Sequence, residues 1–297
     1  MPEVSVIIPV YNGAPFIADA VRTVLDQQEV DLKVIVIDDG SADETPNILA
    51  EFADRIHVVR QPNAGHIAAR NRAAEMADSE WLAFLDADDQ WDAEKLRKQL
   101  DIADEQTAMV YTERQNIGEC ERVARRQSDT DELTEGDLFE PLLYNNFITV
   151  SSVIIRRKWF EQLGGFSSEP FGSEDWDLWL RCAALGGITR VVREPLTRYR
   201  WHADSMTNNH EKMCYGRLKA LRRALESHRG QQLPRTIARR ALGRVWKCSA
   251  WYATPWKRST AFCWYIRSAV YWPWDSSVYK AMVRCCTPDL RQARGGG

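Results

Sequence analysis

The chain has no uninterrupted apolar stretch close to the roughly 20 residues a bilayer-spanning helix needs, so no spanning segment is expected from the sequence. Its apolar character begins at Val4, so no signal peptide is expected ahead of the first strand. Seven cysteines occur without Cys-x-x-Cys spacing, and the five histidines form no cluster. That pattern disfavours a disulfide framework and structural zinc alike, and fits a reducing, cytoplasmic setting. The first strand-to-helix turn, Val10-Tyr11-Asn12-Gly13-Ala14-Pro15, lacks the glycine pattern of a dinucleotide fold, which disfavours hydride chemistry. Gly-x-Ser-x-Gly is absent too, as is any internal repeat, so no covalent enzyme nucleophile is marked by that motif.

What is present is an alternation of short apolar runs and helical patterns. Val4–Val10 reads as a buried strand, and Phe16, Ile17, Ala20, Val21, Val24 and Leu25 then recur with helical period. A second strand over Lys33–Ile37 ends in Asp38-Asp39-Gly40-Ser41, and Ser41 with Glu44 has the spacing of a capping box that opens a helix. Strand Ile56–Val59, helix His66–Ala77 and strand Trp81–Leu85 follow. Strand–helix alternation of this kind predicts right-handed crossovers and a parallel sheet.

Directly after the last of these strands come Asp86, Ala87, Asp88 and Asp89. Carboxylates emerging at a strand's carboxyl end lie where open α/β sheets bind ligands. Asp86 and Asp88, two apart, share one side of an extended segment, and like charges held that close call for a cation between them. Hard oxygen donors favour Mg²⁺ or Mn²⁺. A solvated acidic turn, or a cap on a helix over Asp92–Asp104, is the alternative reading of the same residues.

The net charge of −3 conceals a partition. Residues 1–209 carry 21 Lys and Arg against 38 Asp and Glu, a net of −17, whereas residues 210–297 carry 18 against 4, a net of +14. Seven of the twelve Trp fall at or beyond Trp201. A basic region interleaved with amphipathic rings suits an anionic lipid surface, and large aromatics packing helices together would give the same composition. The division expected is a catalytic domain over 1–209 and a helical region over 210–297. Glu113–Glu140, polar and aperiodic, reads as a mobile or acceptor-specific insertion.

The ordered segments VSVIIPVYNG, VIVIDDGSADET, QPNAGHIAARNRAAEMADSEWLAFLDADD, GSEDWDLWLR and YRWHADSMT resemble the motif series of the family 2 inverting glycosyltransferases. The resemblance covers roughly residues 1–207 and implies the GT-A fold, an α/β mixed sheet flanked by helices. It implies a nucleotide-sugar donor, most simply a UDP-sugar, and a glycan or lipid-linked acceptor at the cytoplasmic membrane face in cell-surface polysaccharide synthesis. Nucleic acid is not an expected partner.

The same resemblance implies roles. Asp39 would accept the base's ring N–H with Asp38 alongside, and Pro9 and Tyr11 would wall the base. Arg70 would face the nucleotide and pair with phosphate, unless it is a surface cation like Arg72. Asp86 would lie at the ribose or metal edge, and Asp88 would be the direct ligand of Mn²⁺ or Mg²⁺. His202 would approach the metal and diphosphate, or be structural; Arg198 and Arg200 would contact diphosphate or be exposed. Asp175 would be the general base, its ionised form favoured at the N-terminus of the helix Trp176–Leu185, while Asp177 reads as structural. Two other classes compete: a nucleotidyltransferase, which would want a glycine-rich basic phosphate loop near Tyr11, and a catalytically silent scaffold, which intact Asp88 and Asp175 argue against.

Overall fold

A computed structural model describes residues 3–119, 123–202 and 210–286. Contacts divide the chain into two units: residues 1–142, 146–168 and 174–205 form one, and residues 143–145, 169–173 and 206–297 form the other. The second unit therefore takes in two short segments, Leu143–Asn145 and Glu169–Ser173, besides the C-terminal region. A linear division at residue 209 misses them, because packing partners need not be chain neighbours.

The first unit begins with β1 (Val4–Val10), α1 (Ile17–Leu25), β2 (Leu32–Asp38), α2 (Thr45–Ala50), β3 (His57–Arg60), α3 (His66–Glu75) and β4 (Trp81–Phe84). It continues with β5 (Gln90–Trp91), α4 (Lys95–Asp101), β6 (Thr107–Gly118), β7 (Gly136–Asp137), α5 (Phe139–Tyr144, whose last two residues belong to the second unit), β8 (Val153–Arg156), α6 (Arg157–Gln162), α7 (Glu174–Ala184) and β9 (Ile188–Trp201). The strands make one mixed sheet in the order β3-β2-β1-β4-β8-β6-β9-β5, with β7 on β9. The first four are mutually parallel. β8 is antiparallel to both β4 and β6, which gives the sheet its mixed character.

β1 is central, and all seven of its residues are buried. A strand covered on both faces must be apolar throughout, and each buried Val or Ile side chain contributes ~1.5–3 kcal/mol of hydrophobic stabilisation. Pro9 sits in this strand without a lost ladder bond on the β4 side. The β1–β4 register ends at Ile7–Phe84, so at Pro9 only β2 is alongside. On α1, Ile17, Ala20, Val21 and Val24 repeat with helical spacing and enter the core.

Three local expectations need correction. Ser41 and Glu44 do not form a capping box: α2 starts at Thr45, and the Ser41 hydroxyl instead accepts from the Asn12 N–H at 2.9 Å. Asp43, just ahead of the helix, accepts from the Thr45 N–H at 3.0 Å. The helix expected over Asp92–Asp104 is the shorter α4, preceded by a β5 strand. Glu113–Gly118, read as part of an insertion, is the second half of β6 and pairs with β9. Its polar side chains are satisfied internally: Glu113, for example, is buried and accepts from the Ser128 hydroxyl.

The second unit contains α8 (His210–Glu226), α9 (His228–Gln231), α10 (Arg235–Ala253), α11 (Arg258–Tyr271) and α12 (Ser276–Cys286). Trp246 of α10 and Trp264 of α11 are buried with ring centroids 6.3 Å apart. Gly243 lets α10 and α11 approach closely; a Cβ there would lie 2.9 Å from Trp272 Cβ. Among the described residues no helix is long and apolar enough to cross a membrane, and the six described cysteines are free thiols.

Candidate active site

The carboxyl ends of β1, β2 and β4 lie together at one edge of the sheet, and three loops meet there. Asn12 adopts a left-handed φ of 51°, and the turn it makes is fastened to the loop after β2. The Gly13 N–H donates to Thr45 Oγ1 at 2.9 Å, the Ala14 N–H to Asp43 Oδ2 at 3.0 Å, and Asn12 Oδ1 accepts from the Ala42 N–H at 2.8 Å. Gly13 must be small, since a Cβ would fall 2.5 Å from Val10 Cγ2. Tyr11 follows the buried Pro9 and is 53 % exposed, so of the expected base wall only Tyr11 presents an open ring.

Asp38 and Asp39 are both buried. Asp38 Oδ1 accepts from the Ser41 N–H at 2.9 Å, while Oδ2 lies 3.5 Å from Arg60 Nε. Asp39 accepts from Gln61 Nε2 at 2.7 Å, the Ala64 N–H at 2.8 Å and the Gly65 N–H at 2.7 Å. An ionised carboxylate has about four acceptor positions, so Asp39 anchors the loop ahead of α3 and keeps capacity for one further donor.

Arg70 is not a surface cation. It is buried against Asp86 and, at 3.5 Å, Glu174 Oε1, with its guanidinium carbon 5.5 Å from the Phe166 ring centroid. Burial alone would lower its pKa, but Asp86 and Glu174 outweigh burial and raise it. Phe166 is held in turn by Asn71, whose amide donates to the Phe166 carbonyl at 2.8 Å and accepts from its N–H at 2.9 Å. Two buried polar atoms have no partner here: Arg70 Nε and Glu174 Oε2.

The acidic motif after β4 is a tight, cross-braced loop, which rules out a freely solvated turn. Asp89 is fully buried, accepting from Ser151 Oγ at 2.5 Å and from the Arg200 N–H at 2.8 Å. Burial, then the charges of Asp88 and Asp86, push its pKa well above the carboxylate range. Asp88 Oδ2 lies 2.9 Å from His202 Nε2. Burial and then Asp86 raise the Asp88 pKa, with the His202 hydrogen bond opposing them. Arg200 is not simply exposed: its Nε donates to the Asp88 carbonyl at 2.9 Å and its guanidinium covers Phe16. Phe16 also packs on His202, ring centroids 5.2 Å apart. Arg198 is exposed.

Among the described residues no three His, Cys, Asp or Glu side chains are arranged to hold a metal ion unaided. Asp86 is engaged by Arg70 in an ion pair. Asp88 and His202 remain adjacent. Two protein donors suit Mg²⁺ or Mn²⁺ when substrate phosphates complete the shell, and the mutual repulsion of three crowded acids is the electrostatic condition a cation relieves. The donor set thus fits a divalent ion.

Asp175, at the start of α7, is half-buried, accepting from the Trp176 N–H at 2.6 Å and Asn146 Nδ2 at 3.0 Å. The Trp176 N–H at the helix start favours the ionised form, but burial and the neighbouring charge outweigh it. Burial, then the Glu174 charge, raise its pKa to about 6. Next to it, Glu174 is pushed up by burial, yet the hydrogen bond and charge of His66, at 2.5 Å, and then Arg70 bring it below its ordinary value. Asp177 is structural, bound at 2.7 Å by Arg181, whose guanidinium also donates to the Leu163 and Gly165 carbonyls. Sequence reasoning missed His66 and Ser151. Position after Gly65, at the first residue of α3, was a usable signal for His66; nothing local marks Ser151.

The description "Glycosyl transferase family 2" matches residues 5–164. The chain belongs to that family. The Bacillus subtilis protein TuaG, named for teichuronic acid biosynthesis, is 33 % identical over 216 residues, covering 70 % of this chain and 82 % of TuaG. The chondroitin synthase of Pasteurella multocida is 28 % identical over 191 residues, 63 % of this chain but only 19 % of that longer enzyme. Among solved structures, S. aureus TarS 1–349 in complex with UDP-GlcNAc superposes with a TM-score of 0.67 at 16 % identity, covering 95 % of this chain and 79 % of the other. The Pyrobaculum calidifontis mannosyltransferase PcManGT, in complex with GDP-Man and Mn²⁺, gives a TM-score of 0.64 at 18 % identity, covering 98 % and 83 %. The fold is GT-A, and this family 2 member is a glycosyltransferase; the nucleotidyltransferase alternative is set aside.

Proposed function

We propose that this family 2 glycosyltransferase is a metal-dependent, inverting enzyme that moves a sugar from a UDP-sugar to a hydroxyl of a glycan or lipid-linked acceptor, at the inner membrane face, during assembly of a cell-surface polysaccharide. The observation that carries the reading is one site edge holding an Asp88–His202 pair, a buried Arg70–Glu174 pair with an unpartnered donor and acceptor atom, and a carboxylate with pKa about 6.

Each group has a task. Tyr11 covers one face of the base, and the remaining acceptor position of Asp39 suits uracil, which offers a single ring N–H. Asp88 and His202 would hold the divalent ion, which when bound supplies Lewis-acid neutralisation of the diphosphate. Arg70 Nε and Glu174 Oε2, both buried and unsatisfied, would be satisfied by donor groups, since leaving such atoms unpaired costs ~1–3 kcal/mol each. Asp175 accepts the acceptor hydroxyl's proton as that oxygen attacks the anomeric carbon, and the bond to the nucleoside diphosphate breaks on the opposite face. One in-line displacement inverts the anomeric centre without an enzyme nucleophile. PcManGT bound to Mn²⁺, TarS bound to UDP-GlcNAc and the naming of TuaG support the metal, donor and acceptor parts in turn.

Thermal-shift screening of UDP-sugars and GDP-mannose, with and without Mn²⁺, tests the donor and the metal together, because a ligand binding only the folded state raises Tm by mass action. The expected result is a Mn²⁺-dependent rise with UDP-sugars exceeding that with GDP-mannose. Equal shifts with and without metal, or none with uridine nucleotides, would overturn it.

A further inference from the structure

We infer that the second unit carries a bilayer-docking face whose partner is an anionic phospholipid surface, a deepening of the membrane-side acceptor reading, which it needs only for its purpose.

The tryptophans of this unit are sorted. Trp246 and Trp264 close the interior between α10 and α11, with Arg267 stacked 4.6 Å over Trp246. Three others stay outside: Trp251 is 56 % exposed, Trp256 72 % and Trp274 81 %. Trp251 meets Tyr252 edge to face, ring centroids 4.9 Å apart, and still keeps more than half of its surface open. On α11 the exposed positions Cys263, Ile266, Arg267 and Val270 follow helical spacing, and on α12 Tyr279 and Val283 form one exposed row beside Lys280 and Arg284. An outward helix face facing only water is ordinarily polar; these are apolar and basic with no acid among them.

Charge selects the partner. Residues 227–286 contain eleven Lys and Arg and a single acid, Asp275, paired with Lys247 at 2.7 Å, while Lys257 pairs with Glu211 of α8 at 3.0 Å, which leaves a large excess of cations. Indole and phenol rings beside cations match the boundary between headgroups and acyl chains, where rings enter the interfacial layer and cations meet phosphate. A protein partner or a second copy of this chain would bury such rings equally well, but it would have to bring a matching excess of acid to the same place; a dense anionic lipid surface meets the rings and the cations at once.

The test uses the full-length protein with vesicles of phosphatidylcholine alone or with about 30 mol % phosphatidylglycerol. Cosedimentation is expected only with the anionic vesicles at about 0.05 M salt and is expected to fade at about 0.5 M, as screening shortens the attraction. Trp256→Ser with Trp274→Ser should weaken it about tenfold or more, and Lys280→Glu with Arg284→Glu more steeply, since each cation near such a surface is worth about a fivefold factor. All variants should keep the UDP-induced thermal shift, which separates loss of docking from misfolding and from failure of the donor reading. Absence of binding at low salt, equal binding to both vesicles, or a soluble dimer that the tryptophan variant dissolves would each overturn the proposal.

Discussion

The imidazole of His66 lies 2.5 Å from Glu174 Oε1, one residue before the proposed base. The pairing joins the first residue of α3 to the first of α7, and Arg70 touches the same oxygen at 3.5 Å. Its effect is to keep Glu174 ionised in a buried place, and that retained charge is the second cause, after burial, of the raised pKa of Asp175. Glu174→Gln should therefore move the acid limb of the kcat–pH profile down by roughly one unit, because a like charge is removed from the base. An unmoved limb would mean that Glu174 does not tune Asp175. Complete loss of transfer at all pH would make Glu174 itself the base.

Wild-type transfer should rise with pH through about 6 and then level, as Asp175 loses its proton. Asp175→Asn should retain donor binding while slowing transfer by roughly 10²-fold or more, the usual scale of general-base catalysis. It should also stabilise the fold at neutral pH. A carboxyl whose folded pKa exceeds its ordinary 3.8 is destabilising in its ionised form, so the penalty is absent below pH 3.8 and complete above about 6. With the partial solvent exposure of Asp175 the gain at pH 7 is discounted to about 1 kcal/mol. Steady-state rates and urea denaturation of the variant check both halves; wild-type turnover would remove Asp175 from the mechanism.

The parallel half of the sheet was legible because its strands are buried on both faces and so read as unbroken apolar runs, from Val4–Val10 to Trp81–Phe84. The acids that end those strands were legible for the same reason. β6 beyond Tyr111 was not, since Thr112, Glu113 and Asn116 are polar residues whose partners lie far along the chain: Thr112 bonds Thr197 at 2.8 Å, for instance. Strand preference there comes from long-range pairing rather than local pattern. Within the site, residue types announced which groups could act but not which would pair. Arg70 with Asp86, and Asp39 with Ala64 and Gly65, are outcomes of packing between elements.

Asp88→Ala should remove the Mn²⁺-dependent part of UDP binding while the chain stays folded. The substitution takes away the carboxylate beside His202 and relieves the crowding that raises Asp89. Calorimetric titration of UDP with and without Mn²⁺ measures this, with the unliganded Tm as the folding control. Undiminished metal-dependent affinity would place the ion elsewhere.

Lys95 supplies a test of the fold independent of catalysis. It is fully buried, with Nζ 2.8 Å from Gln99 Oε1 and 4.0 Å from the Trp91 ring centroid. Burial alone lowers its pKa well below the ordinary 10.5. A lysine depressed in this way is neutral in the folded chain over a range where the unfolded chain still holds the proton. The unfolded state then binds more protons, so stability rises with pH between the folded pKa and 10.5. One such group contributes a slope of up to about 1.4 kcal/mol per pH unit. Lys95→Met has no proton to lose, and its stability should lack that slope. Urea denaturation of both proteins from pH 7 to pH 10 should show wild type gaining on the variant as pH rises. Parallel curves would mean that Lys95 keeps its charge through contact with Trp91 and Gln99, and that the interior at this point tolerates an ammonium.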